Sequence, residues 1–381
     1  MSPSVRAHGA ISDIGKDAWD ACAGPDNPFI GYDFLWACEE SGCVSPDQGW
    51  APRHLSVVDD ADRVLGVMPL YLKAHSQGEY VFDHAWADAY ERAGGAYYPK
   101  LLSAAPFTPV TGRRLLSPDK AVREMLLGGA VALTGQIGAS SLHVTFPSEN
   151  DWTAMTRAGL LGRQDVQYWW SNAGYSGFDD FLAALSSSRR KTIRRERREA
   201  QAGVEIEVVT GKAITEDHWD AFFAFYMDTG SRKWGRPYLN RLFFSLIGER
   251  MAERIVLIMA KREGRWIAGA LNFVGGAALY GRQWGAIEHR PFLHFELCYY
   301  QAIQYAIEHG LKTVEAGAQG QHKLARGYLP KPVYSAHWIE DPRLRGAVAD
   351  YLGRERPAVE LEMDLLEAEF SPFRAPDQPR S

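Results

Sequence analysis

Apolar residues recur along this chain in two rhythms, one of helical period and one of strand period. The order of the rhythms repeats. Helical spacing is found around Trp19 and again over Tyr32 to Ser41. Strand-like runs follow at His54–Val58, Arg63–Lys73 and Glu79–Trp86, separated by polar turns at Asp59–Asp62 and Ser76-Gln77-Gly78. A helix is predicted over Asp119–Thr134 and a strand over Ser141–Phe146, with a proline- and tyrosine-rich insert, Tyr97–Arg114, before them.

The second half runs through the same order. Phe222, Phe223, Tyr226 and Met227 form one helical face, and Leu239, Leu242, Phe243 and Leu246 another. Three strands are then predicted at Arg254–Ala260, Trp266–Val274 and Ala277–Trp284. The last two are joined at Gly275-Gly276, a pair suited to the positive φ of a tight hairpin. His294–His309 is amphipathic, Gly310 can end it, and Lys312–Glu315 is a short strand. Two details tie the halves together. Trp19-Asp20-Ala21 recurs as Trp219-Asp220-Ala221, and Gly78 to Trp86 spans eight residues, as does Gly276 to Trp284. The repeated unit reads helix, helix, three antiparallel strands, helix, strand.

Between the copies lie Asp151–Gly177 and a helical stretch, Phe178–Ala202. Within that stretch Arg189–Arg198 packs seven basic residues into ten. Helical patterning returns from about Pro342 to Glu369, and the tail beyond Ser371 holds three prolines and few apolar residues. The expected division is residues 1–165, 166–345 and 346–381: a first unit, a second unit including the basic helix 189–202, and a C-terminal helical extension with a mobile tail.

Composition narrows the function classes. With 381 residues, 46% of them hydrophobic and 23% charged, the chain has the balance of a soluble protein of two domains. Its net charge of −5 supplies no global field for nucleic acid. The four cysteines form no C-x-x-C pair and no Cys/His cluster of zinc spacing. That predicts no metal and a reducing, cytoplasmic setting. No basic-then-apolar leader is visible, and the most apolar window, Met125–Val144, contains Thr134, Gln136, Ser140, Ser141 and His143, so no transmembrane segment is expected.

The duplicated unit resembles the GNAT acyltransferase fold in its tandem form: an α/β arrangement of mixed, mostly antiparallel sheets flanked by helices. It is most similar to the Fem-type peptidyltransferases and their FemAB-like bacterial relatives, a group of predicted N-acyltransferases. The most specific text is SSSRRKTIRRERREAQAGVEIEVV from Ser186, a basic helix that leads through Gly-Val into a strand. The segments His294–Gly317, Phe82–Tyr90, Tyr97–Leu101 and Glu315–Tyr328 also carry the resemblance. It implies acyl or aminoacyl transfer to the amine of a polar acceptor, a phosphorylated one included, of the cell-wall-precursor or small-metabolite kind. The pyrophosphate loop of ordinary GNAT enzymes has only poor matches here, Gln283-Trp284-Gly285 and Gln319-Gly320-Gln321. The donor is therefore open between acyl-CoA and aminoacyl-tRNA. Acetyl-CoA-dependent acetylation of a small metabolite is an alternative, and so is a non-catalytic pair that binds a nucleotide or RNA.

Acyl transfer to an amine needs a proton acceptor, donors for the oxyanion, and donor and acceptor held face to face. Glu315 ends an apolar strand, where an unpaired carboxylate is costly, so it is read as the base or amine anchor, with His322 assisting. Lys323 and Arg326 share the glycine-flanked loop after it and suit a phosphate or carboxylate. Arg282, His294 and Glu296 are candidate substrate ligands in the second copy; Asp83, His84, Tyr98 and Lys100 are candidates in the first. On the basic helix, Arg190, Lys191 and Arg194 are candidate phosphate or donor ligands, the alternative being a solvated face. Cys298 falls on a helix and reads as core rather than nucleophile.

Overall fold

The computed structural model describes residues 3–233, 237–317 and 320–374. The mobile tail expected beyond Ser371 lies largely outside the described residues. Two compact units form, Met1–Asp165 with Pro332–Glu360, and Val166–Lys331 with Leu361–Ser381.

The first unit contains β1 (Ser4–His8), α1 (Lys16–Ala23), α2 (Tyr32–Glu40), β2 (Trp50–Pro52), β3 (His54–Val58), β4 (Val64–Met68), β5 (Tyr71–Lys73), α3 (His84–Arg92), β6 (Lys100–Ser103), α4 (Lys120–Gln136), β7 (Ser141–Thr145) and α5 (Glu149–Arg157). The chain leaves it through β8 (Leu161–Ser171). The second unit contains α6 (Phe178–Ala184), α7 (Ser187–Ala200), β9 (Glu205–Thr210), α8 (Glu216–Lys233), α9 (Arg241–Met251), β10 (Ile255–Arg262), β11 (Arg265–Gly275), β12 (Ala278–Ala286), α10 (Leu293–Phe295), a π-helical turn (Glu296–Tyr300), α11 (Gln301–Glu308) and β13 (Thr313–Glu315). After a 3-10 turn at Gln321–Arg326 come β14 (Leu329–Ile339) and α12 (Pro342–Phe370).

The repeated tripeptide buries its tryptophan in both copies, Trp19 on α1 and Trp219 on α8. The Trp19 indole donates to the Ile30 carbonyl at 2.8 Å. Asp20 accepts the Tyr32 amide at 2.8 Å, which helps start α2. In the second unit β9, β10, β11 and β12 form an antiparallel meander, β13 joins β12 in parallel, and β8 pairs antiparallel with β13. In the first unit β1, β3 and β4 form an antiparallel sheet. A second sheet runs β2, β5, β6, then β7 parallel to β6, then β14 antiparallel to β7. If β4 and β5 are taken as two halves of one strand, the order matches that of the second unit, with β14 in the place of β8.

Two expected strands take another form. Arg63–Lys73 is broken into β4 and β5, which belong to different sheets. Pro69 supplies no amide to a ladder, and the next amide, Leu70, donates to the His54 ring at 3.2 Å instead of to a strand. Glu79–Trp86 is not a strand, so the equal Gly-to-Trp spacing does not mark equivalent hairpins. Glu79 and Asp83 turn inward to Lys100, and the alanine-rich run after them becomes α3, with Trp86 and Ala87 buried.

Each unit has its own core. Leu101, Leu126, Leu142, Val144 and Met155 lie at the centre of one; Ile258, Leu271, Leu279, Leu297, Ile303 and Val314 are fully buried in the other. In the second unit a Cβ on Gly285 would fall 2.3 Å from the Phe225 carbonyl, so only glycine lets β12 approach the backbone of α8.

Candidate functional site

The second unit gathers its charge where β12 and β13 run side by side. Glu315 ends β13, aligned with Tyr280 of β12 and Trp169 of β8, and is 5% exposed. The ladder between β11 and β12 shifts register there: Leu271 faces Gln283 while Asn272 faces Gly281, which leaves Arg282 as the extra residue of a bulge. A bulge bends its strand and re-aims a side chain. Here it sends the buried Arg282 guanidinium to 3.5 Å from the Glu315 carboxylate. Burial still dominates at Glu315, raising its pKa to about 7 although Arg282 pulls it down.

Lys323 approaches from the 3-10 turn and donates to the Gly317 carbonyl at 3.0 Å. Its amine is lowered to about 8 by burial, opposed by Cys298 and aided by Arg282. Arg282 thus acts on both the carboxylate and the lysine. Within this loop Ala318 and Gln319, the latter part of the weak Gln319-Gly320-Gln321 match, lie outside the described residues.

His322 is exposed, and its ring lies 2.9 Å from the Tyr299 hydroxyl. Phe295 is 5.7 Å from it and His294 6.3 Å, centroid to centroid. His294 also meets Trp284 edge-on at 5.2 Å. Trp284, His294 and Phe295 form one wall of a cavity of about 460 Å³, which Arg290, Glu288 and Thr229 also line. Glu315, His322, Lys323 and Arg326 do not line this cavity, but Arg326 stacks 3.5 Å over the Phe295 ring of its wall.

Two candidates prove to be tied into the framework. Glu296 is fully buried; it accepts from Arg197 at 3.0–3.2 Å, from Gln201 at 2.9 Å and from Gln301 at 2.7 Å. Arg326 donates to Glu196 at 2.9 Å and to the His322 carbonyl at 2.7 Å. On α7, Lys191 and Arg194 are exposed and Arg190 half-buried, and Arg194 reaches only the exposed Asp179 at 3.2 Å. The same helix turns Glu196 and Arg197 inward, a division that the basic run conceals. Replacing Arg190 and Arg194 with Gln is expected to weaken binding of a phosphorylated ligand about tenfold with the fold intact. Calorimetric titration of that ligand checks this, and an unchanged affinity would make the face merely solvated.

Asp83, Tyr98 and Lys100 belong to a different, buried cluster in the first unit, while His84 stands exposed at the start of α3. Lys100 donates to Ser76 at 2.7 Å, to Glu79 at 2.8 Å and to Asp83. Tyr98 bonds Ser76 at 2.8 Å. Tyr97 donates to Asp83 at 2.8 Å and lies 3.3 Å from His143, whose ring meets the His337 ring at 2.7 Å. Burial acts against the charge on Asp83, but Lys100 and His143 outweigh it and hold that carboxyl well below the usual range. Burial takes Glu79 up to about 7, Lys73 down to about 7 and His143 down to about 3. Sequence reasoning named two of these charged groups but missed Lys73, Glu79 and the two histidines. Lysine and glutamate at neighbouring strand and turn positions read as surface from sequence alone, and nothing local pairs His143 with His337. Glu196 did leave a signal, as the one acid in a ten-residue basic run.

The high pKa of Glu315 has a consequence for folding. The group ionises near 4.5 unfolded and near 7 folded. Its contribution is fully present below pH 4.5 and is lost as pH rises through 7, about 3 kcal/mol in all. Urea unfolding of Glu315→Gln is expected to lack this decline between pH 4.5 and 7; an identical slope in wild type and variant would contradict the burial assigned to the group.

Among the described residues no group of three or more His, Cys, Asp or Glu is placed to hold a metal ion, and no helix is long and apolar enough to cross a membrane. The fold and the family model together point to one class of protein, the FemAB-like one. The chain belongs to the FemAB-like family, described as acting in peptidoglycan biosynthesis/recognition, which it matches over residues 10–375. Among solved structures it is similar to FemX, at 13% identity and TM-score 0.55, over 92% of this chain and 100% of that one. It is also similar to the C-terminal domain of a protein designated a lysylphosphatidylglycerol synthetase from Agrobacterium fabrum, at 11% and 0.54, over 92% and 95% of the two chains. A third likeness is to L-PGS from Bacillus licheniformis, at 9% and 0.50, over 87% and 98%. At these identities the likeness is one of fold. No curated protein matches the chain.

Proposed function

We propose that this protein transfers an activated acyl or aminoacyl group to the amine of a polar acceptor of the cell-wall-precursor kind, with the chemistry in the second unit. The observation that carries this reading is the buried Glu315 beside the Arg282 bulge, with its carboxyl at about 7. A base works best with a pKa near the working pH. In this reaction the amine nitrogen attacks the acyl carbonyl carbon, and a new C–N bond forms. Glu315 takes the amine proton, directly or through one water. The tetrahedral oxyanion is met by backbone N–H at the bulge and by the Lys323 ammonium. The donor's C–O or C–S bond then breaks, and Lys323 can supply the leaving group's proton. Trp284, Phe295 and His294 give the nearby cavity flat walls, and Arg290 gives it a cation, which suits a ring-bearing anionic ligand. All four cysteines are free thiols, which favours a reducing, cytoplasmic setting.

The test supplies purified protein with an acyl thioester, acetyl-CoA, or with an aminoacyl ester, each against an amine-bearing precursor peptide and against a panel of small amines. Mass spectrometry reads the products. An amide on the precursor peptide supports the proposal. Acetylation of small amines alone would favour the metabolite acetyltransferase. Saturable, salt-sensitive RNA binding with no product from any pair would favour the non-catalytic reading.

A further inference from the structure

Glu196 lies in the middle of the basic run yet is only 5% exposed. Both of its carboxylate oxygens accept Arg326 Nη2 at 2.9 Å, and Tyr300 donates its hydroxyl to the same carboxylate. Arg326 in turn donates Nη1 to the His322 carbonyl at 2.7 Å and stacks 3.5 Å over Phe295. The His322 ring is held separately by Tyr299, which precedes Tyr300 in the π-helical turn. The next residue of α7, Arg197, grips Glu296 at the start of that turn and stacks 4.2 Å over Phe178. Two successive residues of the basic helix therefore clamp both ends of the π-helical turn, and one of them reaches on to the backbone of the 3-10 turn.

We propose that Glu196 is a positioning residue: through Arg326 it fixes the His322–Lys323 backbone and so aims Lys323 at the Gly317 carbonyl beside the Glu315–Arg282 pair. The importance of this aim rests on the second unit being the site of acyl transfer, but the clamp itself can be tested without a substrate. A buried carboxylate and guanidinium with matched hydrogen bonds hold geometry well, and removing one partner leaves the other as an uncompensated charge. In Glu196→Gln, Arg326 would lose its counter-charge, turn toward solvent and release the His322 carbonyl. Lys323 would follow, gaining water and holding its proton more strongly.

The experiment combines hydrogen exchange over residues 320–327 with competitive acetic anhydride labelling of Lys323 as a function of pH. Exposed Lys120 serves as the internal reference. In Glu196→Gln, exchange in this segment should speed up about tenfold while β6 and β7 of the first unit keep wild-type rates. The pH of half-labelling at Lys323 should rise by about one unit as its burial is relieved. Arg326→Lys keeps the charge but loses the fork, so it should shift both readouts in the same direction by less; it decides the matter if Glu196→Gln does not fold. Wild-type exchange and labelling in the folded variants would overturn the proposal. So would acceleration spread evenly over the second unit, which would make Glu196 a general stabiliser. Neither readout uses a donor or acceptor, so a failed transfer assay and a failed clamp are separate results.

Discussion

Glu315→Gln should lower kcat by about 10² to 10⁴, the usual range for a positioned general base. Glutamine keeps the shape and can still accept from Arg282, so the folded structure is expected to survive. What it cannot do is take a proton from the attacking amine. The effect should fall on kcat rather than KM, because proton removal belongs to the transition state and not to ground-state binding. Stopped-time assays on folded protein, with its concentration checked by circular dichroism, measure this. Normal turnover per folded molecule with reduced stability would make Glu315 a structural partner of Arg282.

Lys100→Met should destabilise the first unit by about 3–5 kcal/mol, the range for breaking a buried ion pair from one side. Lys100 is fully buried, and so are the Glu79 and Asp83 carboxylates it serves, at 3% and 2% exposure. Methionine nearly preserves the volume, so the loss would come from Asp83 left without its lysine and Glu79 left with only Lys73, at 3.8 Å, rather than from a cavity. Urea unfolding read by hydrogen exchange over residues 97–103 reports on this unit, and Lys120→Met on the exposed start of α4 is the control. A change under 1 kcal/mol at Lys100 would mean that the cluster is already neutral.

The elements of the second unit were largely legible in the sequence. Its turns carry explicit signals, such as Gly275-Gly276 before β12 and Gly310 after α11, and β10 and β11 are largely apolar on both faces. The repeated Trp-Asp-Ala located the equivalent helices because that tryptophan must be buried in each copy. The first unit misled where tertiary contacts outweighed local pattern. Pro69 ended one strand early, and Glu79 and Asp83 left a strand-like run to serve Lys100. At the candidate site, Glu315 was conspicuous because a carboxylate ending an apolar strand needs a reason. The bulge that aims Arg282 was not, since register is a property of two strands. Glu196 and Arg197 looked like more of the same charged face, and only folding separates the residues that turn inward from those that stay in water.

The most direct test of the account is the pH dependence of kcat/KM for acyl transfer, which reports the ionisations of the free enzyme. A carboxyl at about 7 that must be ionised and an amine at about 8 that must be protonated predict a bell with its maximum between those values. Glu315→Gln should lose the rising limb, and Lys323→Met the falling one. A profile flat from about pH 6 to 9, retained in both variants, would contradict the assignment of acyl transfer to this site.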